Sequence, residues 1–438
     1  MTGISRRTLM TGAAAGAAAL TLPMPALHAQ AAPIRIGVMY DLTGPFAGGG
    51  AVANYVGTEV AVEMFNDRGG VDGRLVEMVT ADSQSKVDVA LNEAERLINQ
   101  ENLQTVLGIF SSSQAVPLST RLEQEKRILW IVGVISSAVF KDKNLTYAFR
   151  PQVHSDQYGT TSVELLSATA QSKFGVAPKD LRVAVIYEDG PYGVGVSGAN
   201  VEALKAAGMN LVLHEGYSAA APDLSSMVTK LRRERPDVIL HTGYNPDIAL
   251  FLRQARTGGL RFKSLIGHGA GYAQIDRLVE AFGSDVDYFC NVDPAAAQTL
   301  DPQKLAPGVG DLAKEFLERY KAKTGATDAP THASMGFNNT WVYLTGVLPV
   351  ATKQFGGVEA DALRQAALTV DIPEGGTVQG YGVKFAEPGH QMAGQNLRST
   401  PVVMQYLDGK AGVVWPDAIR SQDVVIPLPD SSPYAAKS

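Results

Sequence analysis

Serine-rich segments follow two neighbouring strands that we predict in the first third of the chain. Ser111, Ser112 and Ser113 come directly after an apolar strand at residues 105–109, and a segment that can continue as a helix follows them. The start of a helix presents free backbone N–H groups and the positive end of the helix dipole, which together attract an anion. These serines therefore either cap the helix through a hydroxyl or hold the carboxylate of a ligand.

A second junction of the same kind follows the next apolar strand, at residues 128–132. Residues 133–137 again place hydroxyls and backbone N–H groups after the strand, with Val134 and Ser136 among them. The carboxyl ends of neighbouring parallel strands meet at one edge of a sheet, so the two junctions should converge. Their convergence favours an anion site over a helix cap alone.

Tyrosines stand in comparable loops of the second half. Tyr192 lies in the loop 187–193, Tyr244 in the loop 241–247, and both His268 and Tyr272 in the loop 267–272. A tyrosine brings an apolar ring and one hydroxyl to a cleft. Each ring is also consistent with packing in the core or with an exposed loop.

Glycines surround Phe46 in the loop at residues 44–50, which follows the first predicted strand. Such a loop lets the backbone approach a ligand closely, and it is equally consistent with a flexible turn into a helix. The loop does not match GxGxxG, so dinucleotide binding is not favoured.

Composition and motifs argue against several functions. The 438 residues carry a net charge of −6, which offers no basic patch for nucleic acid or for an anionic membrane surface. Cys290 is the single cysteine, and the seven histidines lack the paired spacing of a metal site. No GxSxG segment and no arrangement of serine, histidine and acid stands out. We therefore predict a binding protein without metal or cofactor, not an enzyme.

The amino terminus has the composition of a targeting segment. Arg6 and Arg7 precede an Ala- and Gly-rich apolar run that ends near Ala31. The arginine pair after a serine favours the twin-arginine export route, and an ordinary secretory signal is the alternative. Both alternatives predict that residues 1–31 are removed and that the mature chain is exported to the periplasm.

Predicted strands and helices alternate along the rest of the chain, which is typical of parallel sheets with helices on both faces. We predict an α/β fold of two doubly wound, Rossmann-like lobes. The first lobe comprises residues 32–151 plus 294–370, and the second comprises residues 152–293 plus 371–438. Three chain crossings would form a hinge, so the lobes could close around a ligand.

The pattern resembles the type I periplasmic solute-binding proteins of the branched-chain amino acid (Leu/Ile/Val) family, which feed ABC importers. The resemblance covers essentially the whole mature chain. The matching segments are residues 41–46 (DLTGPF), 65–73 (FNDRGGVDG), 110–113 (FSSS), 187–193 (YEDGPYG), 244–247 (YNPD) and 252–256 (LRQAR). They are specific for the family, and none is specific for the ligand.

The resemblance also implies site residues. In the family, the ligand carboxylate is held after the third strand, which matches Ser111 with Ser112 beside it. Further groups follow the fourth strand and match Val134 and Ser136. The tyrosines that close over the ligand match Tyr192 and Tyr244, and a helix start containing Asp156 matches another segment that faces the cleft. The resemblance implies an ABC permease complex as the partner, and we expect a monomer.

One departure from the family concerns the ligand. Amino-acid binders of this family place a glutamate in the loop that matches residues 267–271, where it pairs with the ligand ammonium, and this chain reads GHGAG there. An ammonium without a carboxylate partner would be costly in a dry cleft. We therefore expect a small carboxylate-bearing solute, either like a branched-chain amino acid or an aromatic acid, and a small amide is the alternative. His268, Tyr272 and the loop around Phe46 would suit a ring or a neutral polar end.

Two functions of other classes stay open at this point. A sensory module that presents its ligand to a membrane receptor would use the same closing lobes. An exported hydrolase would need a nucleophile motif, which the sequence does not offer.

Overall fold

The first third of the described chain builds one sheet. The computed structural model describes residues 32–436, and the predicted targeting segment at residues 1–31 lies outside them. The strands of the first sheet are β1 (Ile34–Tyr40), β2 (Val76–Asp82), β3 (Thr105–Gly108), β4 (Ile128–Ile131) and β5 (Ala148–Phe149). All are parallel, in the order β2-β1-β3-β4-β5. β1, β3 and β4 are almost entirely buried, as expected for a parallel sheet covered on both faces.

The second sheet is larger and mixed. Its parallel strands are β6 (Arg182–Glu188), β7 (Asn210–Tyr217), β8 (Val238–Thr242), β9 (Ser264–His268) and β10 (Cys290–Asp293). A short antiparallel pair, β11 (Asp371–Ile372) with β12 (Val383–Lys384), precedes β13 (Val402–Leu407) and β14 (Lys410–Trp415). The order is β14-β13-β10-β9-β8-β6-β7, and β13 is antiparallel to both of its neighbours.

Helices cover both sheets. They are α1 (Ala51–Asp67), α2 (Val87–Glu95), α3 (Ser112–Gln124), α4 (Ser155–Thr169), α5 (Pro191–Ala206), α6 (Ser225–Glu234), α7 (Asn245–Thr257), α8 (Ile275–Phe282), α9 (Val309–Thr324), α10 (Thr331–Val342), α11 (Leu348–Gln354) and α12 (Ala360–Leu368). None of the helices between residues 32 and 436 is long and apolar enough to span a bilayer.

The chain passes between the two sheets three times, from β5 to α4, from β10 to α9 and from β12 to β13. This arrangement confirms the predicted α/β fold of two lobes. The residue ranges of the lobes stay a prediction. Phe385 packs on Trp130 and Phe149 of the first sheet, at centroid distances of 5.4 and 5.3 Å, and the Arg150 N–H donates to the Gly394 carbonyl. These contacts favour a third crossing after Asn396, not at residue 370.

Close contact between α1 and α10 brings the start of α10 to the cleft. A Cβ on Gly57 would lie 2.1 Å from the carbonyl oxygen of Ala333, and one on Gly336 would lie 2.0 Å from that of Asn54. Only glycine permits such backbone contact. The second residue of α10, His332, is thereby held beside the loop that enters α1.

The helical segment at residues 331–354 is interrupted. A wider π-helical turn, Tyr343–Val347, separates α10 from α11. Pro349 has no backbone N–H to continue the regular hydrogen-bond pattern, which accounts for the wider turn.

Candidate functional site

A cavity lies between the two lobes, at the carboxyl ends of the central strands. It contains about 320 Å³ of empty space, part of it open to solvent, but its walls lie so close together that there is room for about one water molecule. The lining residues, none of them an acid, a lysine or an arginine, are Phe110, Ser112, Gly133, Ile135, Tyr158, Tyr192, Tyr244, Gly269, Ala270, His332 and Met335. The lobes are therefore nearly closed on each other, and a ligand would need them to part before it could enter.

The first serine junction borders this cavity. Ser111 is the residue before α3, with extended backbone angles, and its side chain makes no capping hydrogen bond. Ser112 lines the cavity and is buried. The backbone N–H groups of Ser112 and Ser113 have no hydrogen-bond partner among residues 32–436. The hydroxyls and N–H groups at the start of this helix are thus available to an anion.

The second junction faces the same space. Gly133 and Ile135 line the cavity, and within the described chain the N–H groups of Val134, Ile135 and Ser136 have no partner. The Val134 carbonyl points to the other side, where it accepts from Gln152 Nε2 at 2.9 Å. Ser136 Oγ donates across the cleft to the carbonyl oxygen of Pro191 at 2.9 Å. The N–H opposite the Val134 carbonyl is that of Ile135, which lines the cavity, and the Ser136 hydroxyl joins the lobes.

Aromatic rings from the second lobe form the opposite wall. Tyr158, Tyr192 and Tyr244 line the cavity, and burial raises the pKa of each hydroxyl well above its ordinary value, so all three stay neutral. Two hydroxyls are engaged behind the wall. Tyr158 donates to Asp293 Oδ1 at 2.5 Å, and Tyr192 donates to the carbonyl oxygen of His268. The rings of Tyr158 and Tyr192 therefore line the cavity, and their hydroxyls do not.

Phe46 closes the mouth of the cleft. Its ring stacks on Tyr244 with a centroid distance of 4.3 Å and an interplanar angle of 29°. The centroid of the Tyr244 ring also lies 5.2 Å from that of Tyr192. Burial raises the Tyr244 pKa, and a contact with the Ser111 side chain lowers it in part. Tyr244 is thus the point where the second lobe meets both Phe46 and the serine junction.

A buried polar network fixes Tyr244 at the start of α7. Asp247 Oδ1 accepts from the Tyr244 N–H at 2.9 Å, and Asp247 Oδ2 accepts from the Tyr217 hydroxyl at 2.7 Å. The Tyr217 hydroxyl also lies 2.7 Å from His241 Nε2. Burial raises the pKa of Asp247 to about 7 and lowers that of His241 to about 3. The network orients the Tyr244 backbone, because hydrogen bonds link His241 to Tyr217, Tyr217 to Asp247, and Asp247 to the Tyr244 N–H.

His268 and Tyr272 lie behind the cavity wall, not on it. The Tyr272 hydroxyl is 2.7 Å from His241 Nδ1, so Tyr272 extends the buried network. His268 Nδ1 is 2.9 Å from Thr242 Oγ1, and burial lowers the His268 pKa to about 3. The two residues support the loop from which Gly269 and Ala270 reach the cavity.

Asp156 also lies outside the cavity lining. Its side chain is 45% exposed, and Oδ1 accepts from Ser137 Oγ at 2.6 Å. It lines a separate surface groove near Trp415. Of the predicted residues, three line the cavity: Ser112, Tyr192 and Tyr244. Phe46, Ser111, Val134 and Ser136 lie beside it without lining it, and Asp156, His268 and Tyr272 lie outside or behind its wall.

His332 is a cavity residue that the sequence did not single out. Gln274 Nε2 lies 2.8 Å from His332 Nδ1. With the amide in this orientation, Nδ1 accepts and the imidazole proton is on Nε2. Burial lowers the His332 pKa to about 4, which keeps the ring neutral. A Cβ on Gly50, whose φ is +125°, would lie 2.4 Å from Nδ1, so a glycine is required here. His332 thus offers a neutral donor beside Phe110.

Two buried acids stand near the cavity without lining it. Both Glu188 oxygens accept backbone N–H groups, from Gly193 at 2.6 Å and Gly190 at 2.8 Å. Asp293 accepts from Tyr158 through Oδ1, whereas Oδ2 has no partner within residues 32–436. Burial raises the Asp293 pKa to about 7. In the part of the chain that the structure describes, no cluster of three or more His, Cys, Asp or Glu side chains could hold a metal.

Comparison with known proteins places this cleft in a family. The family model described as "Periplasmic binding protein" matches residues 33–405. A Leu/Ile/Val-binding protein homolog 7 of Brucella suis biovar 1 (strain 1330) is 34% identical over 412 residues, which cover 93% of this chain and 98% of the relative.

Solved structures share the fold. A LivJ substrate-binding protein of a branched-chain amino acid transporter from Streptococcus pneumoniae, in complex with isoleucine, superimposes with a TM-score of 0.70 at 19% identity and covers 88% of this chain and 100% of its own. An ABC transporter solute-binding protein from R. palustris, in complex with benzoate, also gives 0.70, at 14% identity, and covers 91% of this chain and 98% of its own.

These relatives are binding proteins, which confirms that the chain is not an enzyme. The match over most of the chain and the two-lobed structure lead to one conclusion. The chain belongs to the periplasmic binding protein family, in its Leu/Ile/Val-binding type.

Proposed function

We propose that this protein binds a small monocarboxylate without an α-ammonium group and delivers it to an ABC importer in the membrane. One observation carries the proposal. The cavity has free N–H groups and hydroxyls from two junctions on one side, aromatic rings on the other, and no acid in its lining.

The ligand carboxylate is bound by the first lobe. The Ser112 hydroxyl and the N–H groups of Ser112, Ser113 and Ile135 supply donors, and the dipole of the 13-residue helix α3 adds a favourable field. Hydrogen bonds to a charged carboxylate contribute more than neutral ones do. This pole suits an anion although it contains no cationic side chain.

The apolar body of the ligand lies against the second lobe. Tyr158 and Tyr192 present their rings because their hydroxyls are engaged elsewhere. Closure then brings Tyr244 onto Phe46 and buries the ligand. The importer would recognise the closed form, and export to the periplasm would follow from the predicted targeting segment. Both solved relatives are described as transporter proteins, one with isoleucine and one with benzoate, which supports a carboxylate ligand.

The missing ammonium partner distinguishes the proposal from amino-acid binding. Both oxygens of Glu188 are occupied by backbone N–H groups, and Asp293 stands behind Tyr158. An ammonium in this cavity would lose its hydration without gaining a carboxylate from the lining. A branched or aromatic acid that lacks the amine would not incur that cost.

Asp293 favours a second candidate, a ligand with a hydrogen-bond donor at its far end, such as a small amide. Its Oδ2 has no partner in the described chain, and a Cβ on Gly269, a lining residue, would lie 3.7 Å from Oδ1. Replacing Asp293 by Asn would weaken such a ligand and leave a simple carboxylate within about threefold.

A panel of ligands tests both candidates. The shift in melting temperature would be measured with leucine, isoleucine, 4-methylpentanoate, benzoate and the amides of the two acids. The proposal predicts the largest shifts with the acids. If no compound shifts the melting temperature, or if the amino acids give the largest shift, the proposed ligand class is wrong.

A further inference from the structure

Arg150 is a fully buried cation directly after β5, at the first crossing between the lobes. Its Nε donates to Gln395 Oε1 at 2.6 Å, and its Nη1 donates to the carbonyl oxygens of Ser136 at 2.8 Å and Val134 at 3.3 Å. The guanidinium carbon lies 4.8 Å from the centre of the Phe140 ring. The arginine is therefore held against the back of the second anion-binding junction.

No carboxylate neutralises this charge within residues 32–436. Arg150 takes part in none of the ion pairs of the described chain, and its Nη2 has no hydrogen-bond partner. Asp156 influences it from outside contact distance, and that side chain is nearly half exposed. The buried Asp41 is bound to Ser83 and Gln114, and Asp293 to Tyr158. Burial lowers the Arg150 pKa to about 9, so the group stays charged at neutral pH.

An unpaired buried charge is costly, and the stacking on Phe140 offsets only part of that cost. One peptide group of the junction connects the charge to the cavity. In a trans peptide the carbonyl and the N–H point in opposite directions. The Val134 carbonyl faces Arg150, so the N–H of Ile135 points away from the cation, and Ile135 lines the cavity. The positive end of this polarised peptide is thus turned towards the proposed carboxylate position.

We propose that Arg150 is the counter-charge of the ligand carboxylate and that it makes the cleft selective for anions. It acts as a positioning residue, through the peptide group that joins Val134 to Ile135, without touching the ligand. The Ser136 carbonyl only anchors the arginine, because the N–H of that peptide, on Ser137, donates to Ser155 Oγ at 3.0 Å. This inference rests on the proposed binding of a monocarboxylate. It also assigns the acid selectivity to a residue that the lining does not contain.

The test compares an acid with its amide, because the two differ little in shape and completely in charge. Dissociation constants for 4-methylpentanoate and 4-methylpentanamide, and for benzoate and benzamide, would be measured by calorimetry. The proteins are the wild type, Arg150→Met, Arg150→Lys and Gln152→Met. Gln152→Met is the matched control, since Gln152 donates to the same Val134 carbonyl without carrying a charge.

Arg150→Met should weaken the acids roughly tenfold or more and change the amides by less than threefold. Arg150→Lys should restore most of the preference for acids, and Gln152→Met should leave the preference unchanged. Circular dichroism and melting curves show whether each variant is folded. If Arg150→Met does not fold, the Lys and Gln152 variants still test the inference. Lysine keeps the positive charge but lacks the planar guanidinium, so a purely structural role of Arg150 predicts that Arg150→Lys loses the preference for acids.

Two results would overturn the inference alone. One is an equal loss of acid and amide affinity in a folded Arg150→Met protein, and the other is a loss of acid preference in Gln152→Met that matches the loss in Arg150→Lys. A wild type that binds amides more tightly than acids, or binds neither, would contradict this inference together with the proposed function.

Discussion

Replacing Phe46 by Ala removes the ring that links the lobes across the mouth of the cleft. The ring stacks on Tyr244 at 4.3 Å and comes from a loop of the first lobe. An aromatic pair contributes about 0.5–1.5 kcal/mol beyond the area that it buries, and the lost apolar contact adds to this. We expect the closed form to lose about 1–2 kcal/mol, which raises the Kd of a ligand about 5- to 30-fold.

Calorimetry with 4-methylpentanoate measures this effect in a double-mutant cycle of Phe46→Ala and Tyr244→Ala. The coupling between the two substitutions should be about 1 kcal/mol, because each one removes the same stacked pair. Phe46→Leu, which keeps an apolar side chain, should fall between the wild type and the Ala variant. The free energy of unfolding without ligand is the control. A coupling near zero, or a Kd within twofold of the wild type, would refute the assignment of Phe46 to cleft closure.

Three further predictions concern the walls of the cleft. Ser112→Ala should weaken carboxylate ligands by roughly 1–3 kcal/mol in calorimetry, and unchanged affinity would mean that the serine only starts the helix. Tyr272→Phe should lower the free energy of unfolding in urea by roughly 1–3 kcal/mol, because it leaves His241 Nδ1 without a partner. Its Kd should stay within about twofold of the wild type, and a larger change would place Tyr272 at the ligand. Burial lowers the pKa of His332 from about 6.5 to about 4, so the unfolded chain takes up a proton that the folded chain refuses. Between pH 6.5 and pH 5 the wild type should therefore lose roughly 1–2 kcal/mol of stability relative to His332→Gln, and parallel stability curves would contradict this.

Local patterns accounted for the fold and for one wall of the cleft. Alternating strands and helices require parallel sheets, and polar residues after such strands must lie at their carboxyl edge. Ser112 and the 133–137 segment could therefore be placed together from the sequence alone. The two junctions converge because of the sheet topology, and the alternation of strands and helices in the sequence predicts that topology.

Contacts between distant parts of the chain were not predictable in the same way. His332 reaches the cleft because α10 returns to the first lobe and packs on α1 through Gly57 and Gly336. No sequence motif near His332 indicates that α10 returns to the first lobe. His268 and Tyr272 were placed near the ligand because they follow a strand, yet Tyr272 points to His241 in the core. Loop position alone does not fix the direction of a side chain.

The most direct test of the proposed ligand class compares leucine with 4-methylpentanoate, which is the same molecule without its α-amino group. Their Kd values for the purified, ligand-free protein would be measured by calorimetry at neutral pH. Because the cavity lining holds no carboxylate for an ammonium, 4-methylpentanoate should bind at least about tenfold more tightly than leucine. Tighter binding of leucine would contradict it.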